Sequence, residues 1–368
     1  MVEVRLEHIT KIFGKTIAVN DLNVVIRDKE FFVLLGPSGC GKTTTLNIVA
    51  GLEKPTSGRV YFDDEDVTFL PPEERNIAMV FQSYALYPTM TAYDNIAFPL
   101  KIRRLPRDEI HKRVREVAEM LRIEHLLDKK PHQMSGGERQ RVALARAIVR
   151  QPRLFLMDEP LSNIDAKLRI TARTELIRLQ RELGVTTIYV THDQTEAFTM
   201  GHRIGVMFSG RLLQVGSPLE IFECPVNTTV AGFIGIPPMN FIEGHIVYDE
   251  GLGKFYFKWS EIALEVESVV AEKAGGHGKS VIAGIRPQNL QIIKGESYGK
   301  VNLAFKAKVY TVERLGTESV IVVSVGGELL RAIAPPELTP SLDEDVVVKI
   351  VNPSKVLFFN KSTGDLIA

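Results

Sequence analysis

The apolar run at residues 31–35 leads directly into Gly36-Pro37-Ser38-Gly39-Cys40-Gly41-Lys42-Thr43-Thr44, and a helix-like segment, 42–50, follows. A continuous apolar run of that length suits a strand buried on both faces of a parallel or mixed sheet. The glycine pattern after it, Gly-x-x-x-x-Gly-Lys-Thr, binds phosphate when it stands between such a strand and a helix. Gly39 and Gly41 let backbone N–H groups converge on phosphate oxygens without a Cβ in the way, and the start of the helix adds its positive end. Lys42 is expected to reach the β and γ phosphates of a nucleotide, and Thr43 to offer its hydroxyl to Mg2+. The plainer alternative is a glycine-rich turn before a helix with no ligand.

A second apolar run, 154–157, ends in Asp158-Glu159. Layered α/β sheets keep their ligands at the carboxyl ends of their strands, which is where this run delivers two carboxylates. Asp158 is expected to hold Mg2+ through water, and Glu159 to act as general base on the attacking water. On its own an Asp-Glu strand end is more often a solvated loop; the phosphate loop upstream changes its meaning.

Further buried-strand candidates lie at 77–81, 186–191 and 204–208, with helical periodicity at 107–121, 138–149 and 166–183. Strand and helix alternate over the first 235 residues, which predicts an α/β layered domain. At the start, Val2, Val4, Leu6 and His8 are expected on one face and Glu3, Arg5 and Glu7 on the other, as in an edge strand rather than a signal peptide. Beyond Ile236-Pro237-Pro238 the helical period disappears. Short β-rich runs replace it at 281–285, 303–312, 319–325, 346–351 and 356–359, punctuated by Gly and Pro. That texture predicts a small barrel or sandwich over 236–368.

Composition narrows the function classes. Lys plus Arg (45) equals Asp plus Glu (45), so no nucleic-acid footprint is expected, and clusters such as Lys101-Ile102-Arg103-Arg104 read as solvated faces. No apolar run approaches the ~20 residues of a membrane span. Only two cysteines are present, and Cys40 lies inside the phosphate loop, where a disulfide would be disruptive. A reducing, cytoplasmic setting follows as an expectation.

The stretch that separates this chain from other phosphate-loop proteins is Met134-Ser135-Gly136-Gly137-Glu138-Arg139-Gln140-Arg141. It resembles the signature of ABC transporter ATP-binding subunits, usually Leu-Ser-Gly-Gly-Gln, with Met134 and Glu138 as departures. The first is volume-conserving; the second puts a carboxylate near a nucleotide, expected at its sugar side. The resemblance covers the whole first domain and implies an ABC-type P-loop fold with antiparallel β and helical subdomains. It implies ATP hydrolysis with Mg2+ by a head-to-tail homodimer. Each phosphate loop would face the partner copy's Ser135, Gly136, Gly137 and Glu138, with Asp165 of Ser162-Asn163-Ile164-Asp165 crossing the interface. Gln82 resembles the glutamine that senses Mg2+ and the γ-phosphate, and His192 the switch histidine that contacts that phosphate. Phe13 stands where the family stacks an aromatic on adenine. Asp165 and Ser135 are also good helix N-caps, a role compatible with the functional one. The aromatic segment after Gln82, up to Arg104, resembles the lining of the groove that receives a cytoplasmic helix of a membrane subunit. Two transmembrane permeases and, indirectly, an extracellular solute-binding protein are the implied partners, with the chain peripheral on the inner membrane face.

In the second domain, Ile234-Gly235-Ile236-Pro237-Pro238-Met239-Asn240-Phe241, Gly284-Ile285-Arg286-Pro287 and Val312-Glu313-Arg314-Leu315-Gly316 resemble importer ATPases of the carbohydrate type. That resemblance implies an OB-like regulatory and dimer-stabilising module. Sugar import is the leading expectation; importers of spermidine, iron, sulfate or molybdate share this architecture. A soluble ABC ATPase of translation or DNA repair would carry paired ATPase domains or coiled-coil insertions, and one phosphate loop with one signature argues against that. A binding module with a relic site is opposed by intact Lys42, Asp158, Glu159 and His192.

Overall fold

The computed structural model describes residues 2–260, 262–293 and 304–367. It divides into two compact units, 1–219 and 220–368.

The first unit holds two sheets. β3 (Phe31–Leu35), β6 (Ile77–Val80), β7 (Leu154–Asp158), β8 (Thr186–Thr191) and β9 (Arg203–Phe208) run parallel, and β10 (Arg211–Gly216) closes one edge antiparallel, in the order β10-β9-β3-β8-β7-β6. Every residue of β3 and β8 is buried, as their unbroken apolar or β-branched runs require. The antiparallel sheet is β2-β1-β4-β5, formed by β1 (Val4–Phe13), β2 (Thr16–Ile26), β4 (Ser57–Phe62) and β5 (Glu65–Asp66). α1 (Lys42–Ala50) joins one core with both sheets through Leu46, Ile48 and Val49, which fixes the phosphate loop at its start.

β1 differs from expectation in two ways. It is flanked on both sides, by β2 and β4, and so is not an edge strand. Its register shifts between Leu6 and Ile9: His8 adopts φ +52 and is exposed, and Ile9 takes the core position that simple alternation assigned to His8. An irregularity of this kind moves every later side chain to the other face.

The helical layer is α2 (Ala92–Ile102), α3 (Arg107–Met120) and α4 (Gly136–Ile148); α5 (Ala166–Leu183) and α6 (Gln194–Met200) accompany the parallel sheet. Thr91 caps α2 by accepting from the Asp94 amide at 3.1 Å, and the Asn95 side chain ties down the Tyr87 and Met90 carbonyls just before it.

The second unit is mostly antiparallel β. One sheet has the order β13-β12-β11-β14-β20, from β11 (Asn240–Asp249), β12 (Lys254–Trp259), β13 (Ile262–Val266), β14 (Ser280–Ile285) and β20 (Leu357–Asn360). The other is β15-β19-β16-β17-β18, from β15 (Leu290–Ile293), β16 (Ala304–Arg314), β17 (Ser319–Val325), β18 (Glu328–Ala334) and β19 (Asp345–Ile350). Inward residues of both sheets share one core that includes Ile246, Phe257, Val281, Val309, Ile321 and Val348. Of the expected run 303–312, Leu303 lies outside the described residues.

The expected boundary near 235 and the observed division differ for a physical reason. The division falls within α7 (Pro218–Glu223), and α8 (Thr228–Phe233) belongs with the β strands. Ala231 packs with Met239 and Phe359, and the buried Arg286 guanidinium donates to the carbonyls of Phe222 (2.7 Å), Ala231 (3.2 Å) and Ile234. Its charge also lies 4.1 Å from the centre of the Phe222 ring.

Candidate nucleotide site

The loop between β3 and α1 is shaped by close backbone packing. A Cβ on Gly36 would lie 2.1 Å from the Met207 carbonyl oxygen, and one on Gly41 2.3 Å from that of Ala18, with Gly41 at φ +105. Only glycine fits either position. Gly39, at φ +78, has open space on its Cβ side, and there the backbone faces the cleft. α1 starts with no side-chain cap, so its first amides stay available to a ligand. Lys42 is only 4% exposed, and its ammonium lies across the loop, donating to the Gly36 carbonyl at 2.8 Å and that of Pro37 at 2.9 Å.

The resulting cleft, about 340 Å³, is lined by Ser38, Gly39, Gly41, Lys42, Thr43 and Thr44 on the loop side. Gln82, Asp158 and Glu159 line it from the ends of β6 and β7, and Ala18, which the sequence offered no reason to choose, closes it from β2. Gly36, Pro37 and Cys40 do not line it. They form the back of the loop, where the buried Cys40 belongs to the core and its Sγ stands 3.8 Å from the Lys42 ammonium. Burial pushes the Cys40 thiol up from its ordinary value.

The Thr43 hydroxyl donates to Asp158 Oδ1 at 3.0 Å. Burial raises the Asp158 carboxyl above its usual range, against the opposing pull of that hydrogen bond. The Thr43 hydroxyl, the Asp158 carboxylate and the Gln82 side chain line one cleft and offer oxygen donors, which fit a hard divalent cation such as Mg2+. Glu159 has φ +44, a costly conformation for a residue with a Cβ. Its amide donates to the Val190 carbonyl at 3.0 Å, and its carbonyl accepts from the Ser162 hydroxyl at 2.8 Å; these two bonds hold the strain. Its carboxylate meets His192 Nδ1 at 3.0 Å. His192, half-exposed, sits on a turn braced from beneath. The buried Glu196 carboxylate accepts from Tyr189 (2.8 Å) and Thr191 (2.7 Å), and Thr191 accepts from the Asp193 amide (3.0 Å). Nothing in local sequence singles out Glu196, because its partners are brought to it by β8.

Phe13 is 47% exposed at the β1–β2 turn, with Lys11 Nζ 4.8 Å from its ring centre, so it is not a core residue; it does not line the cleft. Ser135, Gly136, Gly137, Glu138 and Asp165 are brought together elsewhere. A Cβ on Gly136 would lie 3.5 Å from the Asn163 carbonyl, and one on Gly137 3.8 Å from Leu168. Ser135 caps α4 by accepting from the Glu138 amide at 3.3 Å, and Glu138 Oε2 accepts from the Ser135 amide at 2.7 Å. This reciprocal capping box holds the Glu138 carboxyl below its usual range, chiefly through the Ser135 amide. Asp165 caps α5 by accepting from the Leu168 amide at 3.0 Å. The phosphate-loop cleft and the serine-glycine turn thus occupy separate places on one chain.

Fold and cleft define a P-loop ATPase. The ABC transporter family model matches residues 19–162, and the MalK OB fold domain model matches residues 235–290. Over the full length of both chains, the protein is 52% identical to the trehalose/maltose import ATP-binding protein MalK of Thermococcus litoralis. It is 51% identical to the oligosaccharides import ATP-binding protein MsmX of Bacillus subtilis, covering 89% of each chain. With the trehalose import ATP-binding protein SugC of Mycobacterium tuberculosis the identity is 48%, over 92% of this chain and 86% of that one. Among solved structures, a dimeric ATP-binding cassette in a post-hydrolysis state, bound to ADP and Pi, superposes with a TM-score of 0.53 at 34% identity, over 58% of this chain and 98% of that one. The chain belongs to the ABC transporter family, among the importer ATPases that carry a MalK-type OB domain. It binds and hydrolyses ATP.

Proposed function

We propose that the chain is the energy-coupling subunit of a sugar importer, working as a homodimer that closes on two ATP molecules. The observation that carries this reading is the separation just described: each chain has a cleft that grips phosphate and, away from it, a capped serine-glycine turn able to bind one. Two copies paired head to tail bring each turn to the other's cleft. The sugar assignment rests on full-length similarity to trehalose/maltose and oligosaccharide import proteins.

In this mechanism Lys42 leaves the loop carbonyls for the β and γ phosphates, and Gly39, Gly41 and Thr44 supply backbone donors. Thr43, Asp158 and Gln82 would hold Mg2+, which neutralises charge on the phosphate oxygens. Glu159 accepts the proton of the attacking water, and His192, bonded to Glu159, turns toward the γ-phosphate. Ser135, Gly136 and Gly137 of one copy meet the γ-phosphate held by the other, with Glu138 keeping that turn in shape and Asp165 beside the interface. Phe13 stacks on adenine once the nucleotide seats. Hydrolysis removes the shared phosphate and lets the dimer open.

In each copy an apolar groove of about 560 Å³ beside the cleft, lined by Phe81, Ala85, Tyr87, Phe98 and Ile102, receives a short helix of one of the two permeases. A solute-binding protein outside the cell delivers the sugar to those permeases. No helix among the described residues is long and apolar enough to cross a membrane. Docking on the permeases would hold the chain at the cytoplasmic face.

Glu159→Gln tests the sandwich. Turnover is expected to fall about 10²- to 10⁴-fold, as for loss of a general base, while ATP with Mg2+ drives the variant to a dimer by light scattering. A variant that turns over normally removes Glu159 from this role, and one that stays monomeric with ATP removes the sandwich.

A further inference from the structure

The segment after Gln82 is held in an unfavourable shape. Tyr84 and Ala85 are consecutive non-glycine residues with positive φ, +62 and +45. Among the described residues the Tyr84 hydroxyl is also buried with no hydrogen-bond partner. Left-handed conformations and orphaned buried polar groups persist only where the surroundings impose them. Here the imposing group is Arg146, in the last turn of α4. Its guanidinium donates to the Tyr84 carbonyl at 2.8 Å and to the Ala85 carbonyl at 2.7 Å, and lies 5.9 Å from the Tyr87 ring centre. Among the described residues no carboxylate pairs with it, so its charge is spent on these two carbonyls. A planar fork with several fixed donors suits two neighbouring carbonyls. On the other side, the Asn163 side chain donates to the Gln82 carbonyl at 2.9 Å.

We propose that Arg146 is a positioning residue that ties the Ser135 turn to Gln82. α4 is one unbroken helix, and Arg146 lies ~16 Å along it from Ser135, eleven residues at 1.5 Å each. A displacement of the Ser135 turn by a partner copy is carried along this rod to the carbonyls of Tyr84 and Ala85. Tyr84 and Ala85 follow the cleft residue Gln82 within three residues, and Ala85 lines the apolar groove together with Tyr87 and Arg146. Pinned, the segment presents Gln82 to the cleft; released, it relaxes from its left-handed conformations and Gln82 withdraws. The inference deepens the proposed mechanism and rests on it for the role of Gln82.

The test uses the full-length protein with Arg146→Met, Ala85→Gly and the double variant. Without nucleotide, amide exchange over residues 83–88 is expected to be at least about tenfold faster in Arg146→Met, as for loss of charge-assisted hydrogen bonds. kcat for ATP is expected to fall about tenfold with KM changed less than about threefold, because the phosphate loop is untouched. Glycine tolerates positive φ without a pin, so adding Ala85→Gly should recover most of both losses. A role in packing alone would gain nothing from removing a methyl at residue 85. Unchanged exchange over 83–88 in Arg146→Met, or a double variant no better than the single one, overturns the proposal. Should Arg146→Met fail to fold, refolding of the double variant supports the pin and continued unfolding sinks it. The exchange readout needs no nucleotide, so it separates this idea from the Glu159 test.

Discussion

Asp158 shows how the cleft sets function against stability. Burial raises its folded-state pKa above the ordinary 3.8, which shifts the folded chain toward the neutral acid. The sign follows. The group's contribution to stability is full below 3.8 and is lost as pH rises through the raised folded value, leaving the ionised carboxylate a cost at neutral pH. Asp158→Asn keeps an oxygen for the Thr43 hydroxyl and removes that charge. It should raise the thermal midpoint at neutral pH, with the gain shrinking toward pH 3.8. Mg2+-dependent turnover should fall about 10- to 100-fold, as for loss of a group that orients a metal's shell. A neutral-pH midpoint at or below that of the parent would show that the buried carboxylate is compensated by contacts other than Thr43. Glu159 makes the same trade in backbone form, through its φ of +44 at the point where chemistry is expected.

At the level of elements, α4 begins with a capping box whose fourth member is Glu138 where the family more often has Gln. The helix needs an acceptor for the Ser135 amide, and glutamate and glutamine both supply one. The departure is therefore tolerated for a local reason. Because the Ser135 amide holds the carboxyl below its ordinary value of 4.5, the stability this contact adds is present above that value. It is lost as pH falls through the depressed folded value. Glu138→Gln should lower the neutral-pH midpoint slightly and flatten its decline below pH 4.5, whereas Ser135→Ala should cost about 1 kcal/mol at neutral pH. Melting curves across that range check both; an equally steep acid limb in Glu138→Gln removes the carboxylate from the cap. Ser135, Asp165, the phosphate loop and the Asp158-Glu159 strand end could be read in advance because each depends on neighbours within a few residues. β1 departs from simple alternation for the complementary reason: its irregularity at His8 and its central place depend on β4, some fifty residues away in the chain.

At the level of the whole molecule, the two units have separate cores, and the segment leading into the second belongs to it. Arg286 bonds three carbonyls of the residues from Phe222 to Ile234, and Ala231 packs with Met239 and Phe359. A chain ending at residue 235 loses Arg286, Met239 and Phe359 and should carry residues 220–235 as a tail open to protease, whereas a chain ending at 219 should not. Both should keep the parent's affinity for ATP, since every cleft residue lies within the first unit. Limited proteolysis with mass spectrometry, beside an ATP titration, checks this; a protected tail in the longer piece would mean that α8 has partners in the first unit.

Chemistry carried by contiguous residues was settled by sequence alone: a buried strand delivering a phosphate loop, a second delivering two carboxylates, a serine-glycine helix start, and a β-rich second half. Backbone geometry over a few residues makes those features self-contained. Tertiary structure alone decided what distant segments do to one another. It placed Ala18 in the cleft, drew α8 to Arg286, and set Arg146 against two strained carbonyls sixty residues away. Hydrogen bonds between such segments have no period in the sequence, because the sheet order that brings them together is itself a product of folding.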